Sequence, residues 1–365
     1  MTNPTPLPPD RPDSTDRRVN PEMVALARES RGMSQAELAT RLGVTQGKVS
    51  KVEGDMLKLS EADFDRLCRV TEYPPEFFCQ TSPIEGFGSA CVYHRKRQCL
   101  PVKELKVIHA TINVVRLQLL RLLKAVDVGA RNTFYRFDVD EYGSPEEVAR
   151  ITRASWGLPM GPIRNLVNAI ENAGGIVVQL PFGTDKLDAV SQWPRNSSPL
   201  FFVNRELPVD RWRFSLAHEL GHLVMHAAPP PDAEEQADRF ASEFLMPARE
   251  IESELGQMTL AKAARLKPVW RVSMQALIRR ARDLGRITDR HYRTLFTQIG
   301  QEGYRKNEPV PLAPELPTVL PDLIAVYRNS FGYDVSQLSR YVYAAEEHFR
   351  ATLLNEPPPR FRVVR

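Results

Sequence analysis

His218-Glu219-Leu220-Gly221-His222 places two imidazoles and a carboxylate within five residues. On an α-helix, residues four apart sit about 40° apart on one face, one turn along, so both imidazoles can reach one ion. Glu219 lies about 100° further round and reaches a water on the open side of that ion. Neutral imidazoles suit zinc, and zinc makes a bound water acidic enough to ionise near neutral pH. The carboxylate would take that water's proton and later pass it to a leaving amine. At this chain's His and Glu content the spacing arises by chance in roughly one sequence in a hundred, which favours a metal centre over coincidence.

A third ligand is needed. His226 continues the histidine stripe, but it lies about 12 Å along the axis from His218, too far for three ligands to converge from one straight helix. Glu234-Glu235-Gln236-Ala237-Asp238 is the better source. If Asp232 caps this helix with Glu235 closing the capping box, Glu234 and Asp238 share a face one turn apart. Glu234 is then the third ligand, and Asp238 holds a ligand histidine from behind. If Glu235 faces the metal instead, the capping argument fails. Three protein ligands leave one position open, which favours catalysis or ligand sensing over a purely structural metal.

The elements around these residues mix helix and strand. Pro145–Trp156 and Ile163–Ala173 read as helices, and Ile176–Leu180 and Leu200–Val203 as buried strands, with a third strand near 188–191. Helices near 210–226 and 232–246 carry the candidate ligands, and further helices run to about 302. Glu308–Pro317 contains four prolines and reads as a linker or extended strap.

Nearer the N-terminus, Ser34-Gln35-Ala36-Glu37 fits a capping box, and Gly43 permits the left-handed turn that ends its helix. Thr45 caps a second helix, Gln46 to Glu53, ended by Gly54. Two short helices around a glycine turn form a helix-turn-helix. The second would enter the major groove of an operator in double-stranded DNA, exposing Gln46, Lys48, Ser50 and Lys51, with Gln35 on the first helix beside it. Gln suits adenine edges, and Lys suits guanine or phosphate. Gly47 costs the recognition helix about 1 kcal/mol of propensity. Residues 23–78 resemble the Xre/Cro-type repressor domain through Ser34-Gln35-x-x-Leu38-Ala39-x-x-Leu42-Gly43-Val44-Thr45-Gln46-x-x-Val49-Ser50-x-x-Glu53-Gly54.

Between the two regions, Leu105, Ile108, Ile112, Val115, Leu119, Leu122 and Val126 recur at alternating steps of three and four. That stripe either packs on the protein's own core or forms a homodimer seam along the 103–126 helix, as a two-fold operator would suit.

Phe214-Ser215-Leu216-Ala217-His218-Glu219-Leu220-Gly221-His222, then Glu234…Ala237-Asp238-Arg239-Phe240-Ala241…Leu245-Met246-Pro247, resembles the ImmA/IrrE metallopeptidase family. Trp270-Arg271-Val272-Ser273-Met274-Gln275-Ala276-Leu277 is similar to that family's helical region. The resemblance implies a gluzincin-like Zn2+ site, with Glu219 as general base and His218, His222 and Glu234 as ligands. It further implies cleavage of a protein substrate, a helix-turn-helix repressor. This chain carries its own helix-turn-helix, so a separate repressor and its own N-terminal domain both stand as substrates, beside two alternatives: a transcription factor whose zincin-like domain only senses or scaffolds without proteolysis, and a regulator in a toxin–antitoxin or phage-immunity module.

The expected fold class is α+β and mostly helical: a five-helix-type helix-turn-helix domain, then a zincin-like domain with a small sheet and a helical extension. The expected divisions are a disordered tail (1–19), the DNA-binding domain (20–80), a junction with the long helix (81–130), the metallopeptidase domain (131–306), and a Pro-rich linker with a helical tail (307–365). A formal charge of +4 over 365 residues is too weak to argue for nucleic acid by itself. No apolar run is long enough to span a membrane, and the first 18 residues lack the apolar core of a secretory signal, so the expected location is the cytoplasm. Cys68, Cys79, Cys91 and Cys99 include no CxxC pair and are read as free thiols in that reducing compartment.

Overall fold

Ser34 and Glu37 close the reciprocal cap expected of them: the Ser34 hydroxyl accepts from the Glu37 amide (3.1 Å), and the Glu37 carboxylate accepts from the Ser34 amide (2.6 Å). Gly43, at φ 68°, ends that helix in the left-handed region that only glycine enters without cost. Thr45 caps the next helix by accepting from Lys48 N. These local rules give α1 (Pro21–Ser30), α2 (Gln35–Leu42), α3 (Gln46–Glu53) and α4 (Glu61–Thr71). Leu26, Leu38, Leu42, Val49, Val52 and Leu67 share one buried cluster.

The computed structural model describes residues 18–86, 100–126, 129–194, 197–228 and 230–356. The described residues fall into two units, 18–86 with 100–126 and 319–356, and 129–318. The cysteines at 91 and 99 lie outside the described residues, as does most of the expected 1–19 tail.

In the first unit, α5 (Val102–Leu122) lies against α1. Leu105, Ile108, Ile112, Val115, Leu119 and Leu122 are all buried, as are Asn113 and Arg116. That burial fits the first of the two readings of this stripe, packing on the protein's own core, and Val126 at its end is half-buried.

In the second unit, α6 (Pro145–Ser155) and α7 (Leu166–Asn172) precede β1 (Ile176–Leu180), β2 (Ala189–Gln192) and β3 (Leu200–Asn204). Strand order is β1-β3-β2, with β1 parallel and β2 antiparallel to β3. The central strand, Leu-Phe-Phe-Val-Asn, is buried at every position, as a strand covered on both faces must be. Then come α8 (Val209–Met225), α9 (Ala233–Leu245), α10 (Leu260–Trp270), α11 (Met274–Asp283) and α12 (Asp289–Gln301). α8 packs on both α9 and β2.

The stretch expected as one linker and tail is divided. Its first part is a strap pinned to the second unit by two buried carboxylates. Glu308 accepts from Lys267 Nζ (3.0 Å) and from the amides of Met274 and Gln275 that open α11. Glu315 pairs with the buried Arg213 and accepts from Arg271 Nε (3.2 Å) and from the amides of Leu166 and Val167 that open α7. Each glutamate satisfies helix N–H groups that have no partner within their own helix, and each places negative charge at the positive end of a helix dipole. Beyond the strap, α13 (Val319–Asn329), α14 (Val335–Tyr341) and α15 (Glu346–Thr352) belong to the first unit. There Tyr327 donates to Leu122 O (2.8 Å), and Arg121 donates to Tyr341 O (2.8 Å).

Candidate metal centre and recognition helix

α8 carries His218, Glu219 and His222, and α9 brings Glu234 and Asp238 to them. The close approach of the two helices depends on Gly221, where a Cβ would lie 3.0 Å from the Phe240 ring on α9. His218, His222 and Glu234 offer ligand atoms all within 4.8 Å of one another. The two Nε2 atoms are 3.0 Å apart, and Glu234 reaches them at 3.4 Å (His218) and 3.1 Å (His222).

The partners behind each imidazole set its tautomer. His218 Nδ1 donates to Asp238 Oδ1 (2.8 Å), which turns the Nε2 lone pair towards Glu234 and His222. His222 Nδ1 lies 2.9 Å from His226 Nδ1, and His226 Nε2 lies 3.0 Å from Gln236 Oε1. With His226 donating to Gln236, its Nδ1 accepts from His222, so His222 also presents a bare Nε2. His226 thus stands outside the ligand cluster, as its distance predicts, but it orients a ligand.

Glu234 Oε1 is buried and makes no bond of hydrogen-bond geometry. A buried carboxylate oxygen facing two imidazole nitrogens is a costly arrangement without a cation among them. Burial alone would discharge His218, but the Asp238 and Glu234 carboxylates outweigh it and raise its pKa to about 10. Burial would raise Glu234, yet the two histidines hold it well below the usual carboxylate range. The field of the pocket favours positive charge, and two nitrogens with one carboxylate oxygen form a donor set suited to a four-coordinate divalent ion with one open position.

Glu219 is buried and belongs to the same helix but not to the ligand cluster. Its Oε2 accepts from both the amide (2.9 Å) and the hydroxyl (2.6 Å) of Ser191 on β2. Nothing in the sequence pattern singles out Ser191. A cleft of about 800 Å3 is lined by Arg211 and Ser215 of α8, Ser242 of α9, Arg279 of α11 and Glu308 of the strap, and none of His218, Glu219, His222 and Glu234 lines it. Arg279 also lies 3.9 Å from Asp238.

Glu234 reaches the cluster without the expected cap. Asp232 makes no capping bond, and its carboxylate accepts from Gln236 Nε2 (3.0 Å) instead. Packing against α8 turns this face inward.

On the recognition helix, Val49 and Val52 are buried while Gln46 and Lys51 are exposed and Ser50 is half-buried. Gln46 donates to Gln35 (2.8 Å), Gln35 donates to Glu53 (2.8 Å), and Glu53 pairs with the buried Arg28 (2.6 Å). This chain of bonds ties α3 to α1 and α2. Lys48 departs from expectation: its Nζ pairs with buried Asp63 of α4 (2.6 Å). It sits about 160° round from Gln46, and the pair ties α3 to α4.

A helix-turn-helix domain family matches residues 24–76, and the IrrE N-terminal-like domain family, a peptidase family, matches residues 171–282. The chain joins a helix-turn-helix domain to an IrrE N-terminal-like domain. The second match spans β1 to α11, so it contains every residue of the candidate metal centre. No curated protein matches the chain. Among the described residues no helix is long and apolar enough to cross a membrane.

Proposed function

We propose that the chain is a cytoplasmic transcription regulator that binds a double-stranded DNA operator and cleaves a protein regulator with a zinc-dependent endopeptidase site. The supporting observation is the convergence of His218, His222 and Glu234, with Glu219 on the next position of the same helix. Zinc at this centre supplies a Lewis acid for a peptide carbonyl and lowers the pKa of water towards 7. Glu219 takes the proton of the attacking water and delivers it to the amide nitrogen as the C–N bond breaks, leaving a carboxylate and an amine. Asp238 and His226 keep both histidines in the ligating tautomer. The cleft along the start of α8 and the strap has room for several side chains of an extended segment. On the DNA side, Gln46, Ser50 and Lys51 read or touch the duplex, with Gln35 bracing Gln46.

The test is metal analysis of the purified full chain beside a cleavage assay against co-encoded helix-turn-helix repressors and against the chain itself. Glu219→Gln should retain one zinc and lose cleavage. Equal cleavage by wild type and Glu219→Gln would remove the base from the mechanism. A protein without zinc would remove the metal centre.

A further inference from the structure

We infer that Ser191 is the positioning residue for Glu219, holding one oxygen of its carboxylate from the edge of the sheet so that the other is presented for proton transfer. The inference rests on the peptidase reading of the site and adds to it a residue outside the histidine helix.

The geometry begins with strand pairing. Asn204 N donates to Asp188 O at 2.8 Å, which marks 188 and 204 as a hydrogen-bonded pair at the end of the β2–β3 ladder. In an antiparallel ladder such pairs alternate with non-bonded ones. The register sets Val190 opposite Phe202 and Ser191 opposite Phe201. Val190 therefore bonds inward to β3, and Ser191 turns its N–H and C=O outward. β2 is an edge strand, so the Ser191 N–H has no strand to meet on that side. It meets Glu219 instead, at 2.9 Å, and the Ser191 hydroxyl joins it at 2.6 Å.

Both donors fall on Oε2. Among the described residues Oε1 accepts no hydrogen bond, so it is the oxygen left for a water or a leaving amine. A glutamate has three side-chain torsions to fix, and a general base must lie within about 2.6–3.2 Å of its proton. Two charge-assisted bonds to a single oxygen fix those torsions before substrate arrives. The amide is supplied by the backbone whatever residue stands at 191, so the side-chain contribution belongs to the hydroxyl alone. Threonine would retain it and alanine would not.

Two measurements on the full chain test this. In the metal-free protein, amide hydrogen exchange at Ser191 should accelerate about tenfold or more in Glu219→Ala, because the amide loses its acceptor. Unchanged exchange would mean that the bond is absent in solution, and the inference would fall. In the cobalt(II)-loaded protein, the pH midpoint of the visible absorption band reports on the base beside the metal. Glu219→Gln should move that midpoint, Ser191→Ala should move it in the same direction, and Ser191→Thr should restore it. A Ser191→Ala midpoint coincident with wild type overturns the positioning role while leaving Glu219 in place. A Glu219→Gln midpoint coincident with wild type, or a failure to bind cobalt, overturns the underlying peptidase reading instead.

Discussion

Glu315 anchors the strap to the helix that carries the histidines, and its removal should be costly. It pairs with Arg213, which is 0% exposed and lies five residues before His218 on α8. Glu315→Ala leaves that guanidinium buried without its carboxylate, a class of change worth about 3–5 kcal/mol. It also strips the acceptor from the Leu166 and Val167 amides, a capping loss of about 1 kcal/mol. The two are not strictly additive because Arg271, at 3.2 Å, shares the site and can relax towards solvent. A net loss of about 4 kcal/mol follows, and at about 2–4 °C per kcal/mol for a unit of this size the melting temperature should fall by about 8–16 °C. The assay is intrinsic: all four tryptophans, 156, 193, 212 and 270, lie in the second unit, so their fluorescence follows that unit alone. Glu315→Ala combined with Arg213→Met should recover much of the loss, since a well-packed apolar pair tolerates burial that a lone charge does not. A single variant within 1 kcal/mol of wild type, or a double variant no better than the single, would refute the claim that buried charge pairing holds the strap.

Asp238→Ala should retain a full set of ligands yet bind zinc about 10–100-fold more weakly, because His218 loses the partner that fixes its tautomer; competition with a chelator measures this. Gln46→Ala should weaken binding to an operator recovered by selection about tenfold or more, the value of one bidentate base contact, as read by fluorescence anisotropy. Lys48→Ala should barely alter that affinity but lower the stability of the first unit by about 1 kcal/mol, since its partner is Asp63 rather than DNA. Lys48, then Arg66 and Ser60, hold the Asp63 carboxyl well below its ordinary range. A depressed folded-state pKa stabilises fully above the unfolded value of about 4 and loses that contribution gradually as pH falls on towards the folded value, so Asp63→Asn should destabilise the unit at pH 7 and progressively less as pH drops below about 4, in thermal melts followed by circular dichroism.

Local signals were readable and long-range ones were not. The i, i+4 spacing of His218 and His222 is a property of one helix, and so are the capping box at Ser34 and the left-handed Gly43. Glu234 was reached by a premise that does not hold, since Asp232 makes no cap. The face that carries Glu234 and Asp238 is set by α8 packing at Gly221 and Phe240, and two routes to one face happened to agree. The ion pair of Lys48 was not legible because its partner, Asp63, lies on the next helix, where the period of α3 alone cannot reveal it. The stripe on α5 identified an apolar face correctly, but periodicity says only that a face is covered, never by what. Part of the answer lies about two hundred residues on, where Tyr327 meets Leu122.

The same limit explains why the sequence left this stretch open between a linker and a strap. Four prolines forbid helix and strand and argue for extended backbone, and they say nothing about the glutamates between them. A surface strap has no physical reason to bury a carboxylate. Glu308 and Glu315 are buried because buried cations, Lys267 (which Asp210 also holds, at 2.6 Å) and Arg213, and the first amides of α11 and α7, which the Ser273 and Asn165 caps leave unmet, lie beneath them. Each of these would be a liability alone: a desolvated ammonium or guanidinium, and amides without acceptors. One carboxylate at each end satisfies both kinds of donor at once, so the strap completes the second unit rather than leading away from it. Ser191 follows the same logic at the candidate metal centre. An outward amide on an edge strand and a buried carboxylate on a helix are each unsatisfied in their own element, and each is satisfied only when sheet and helix are packed together.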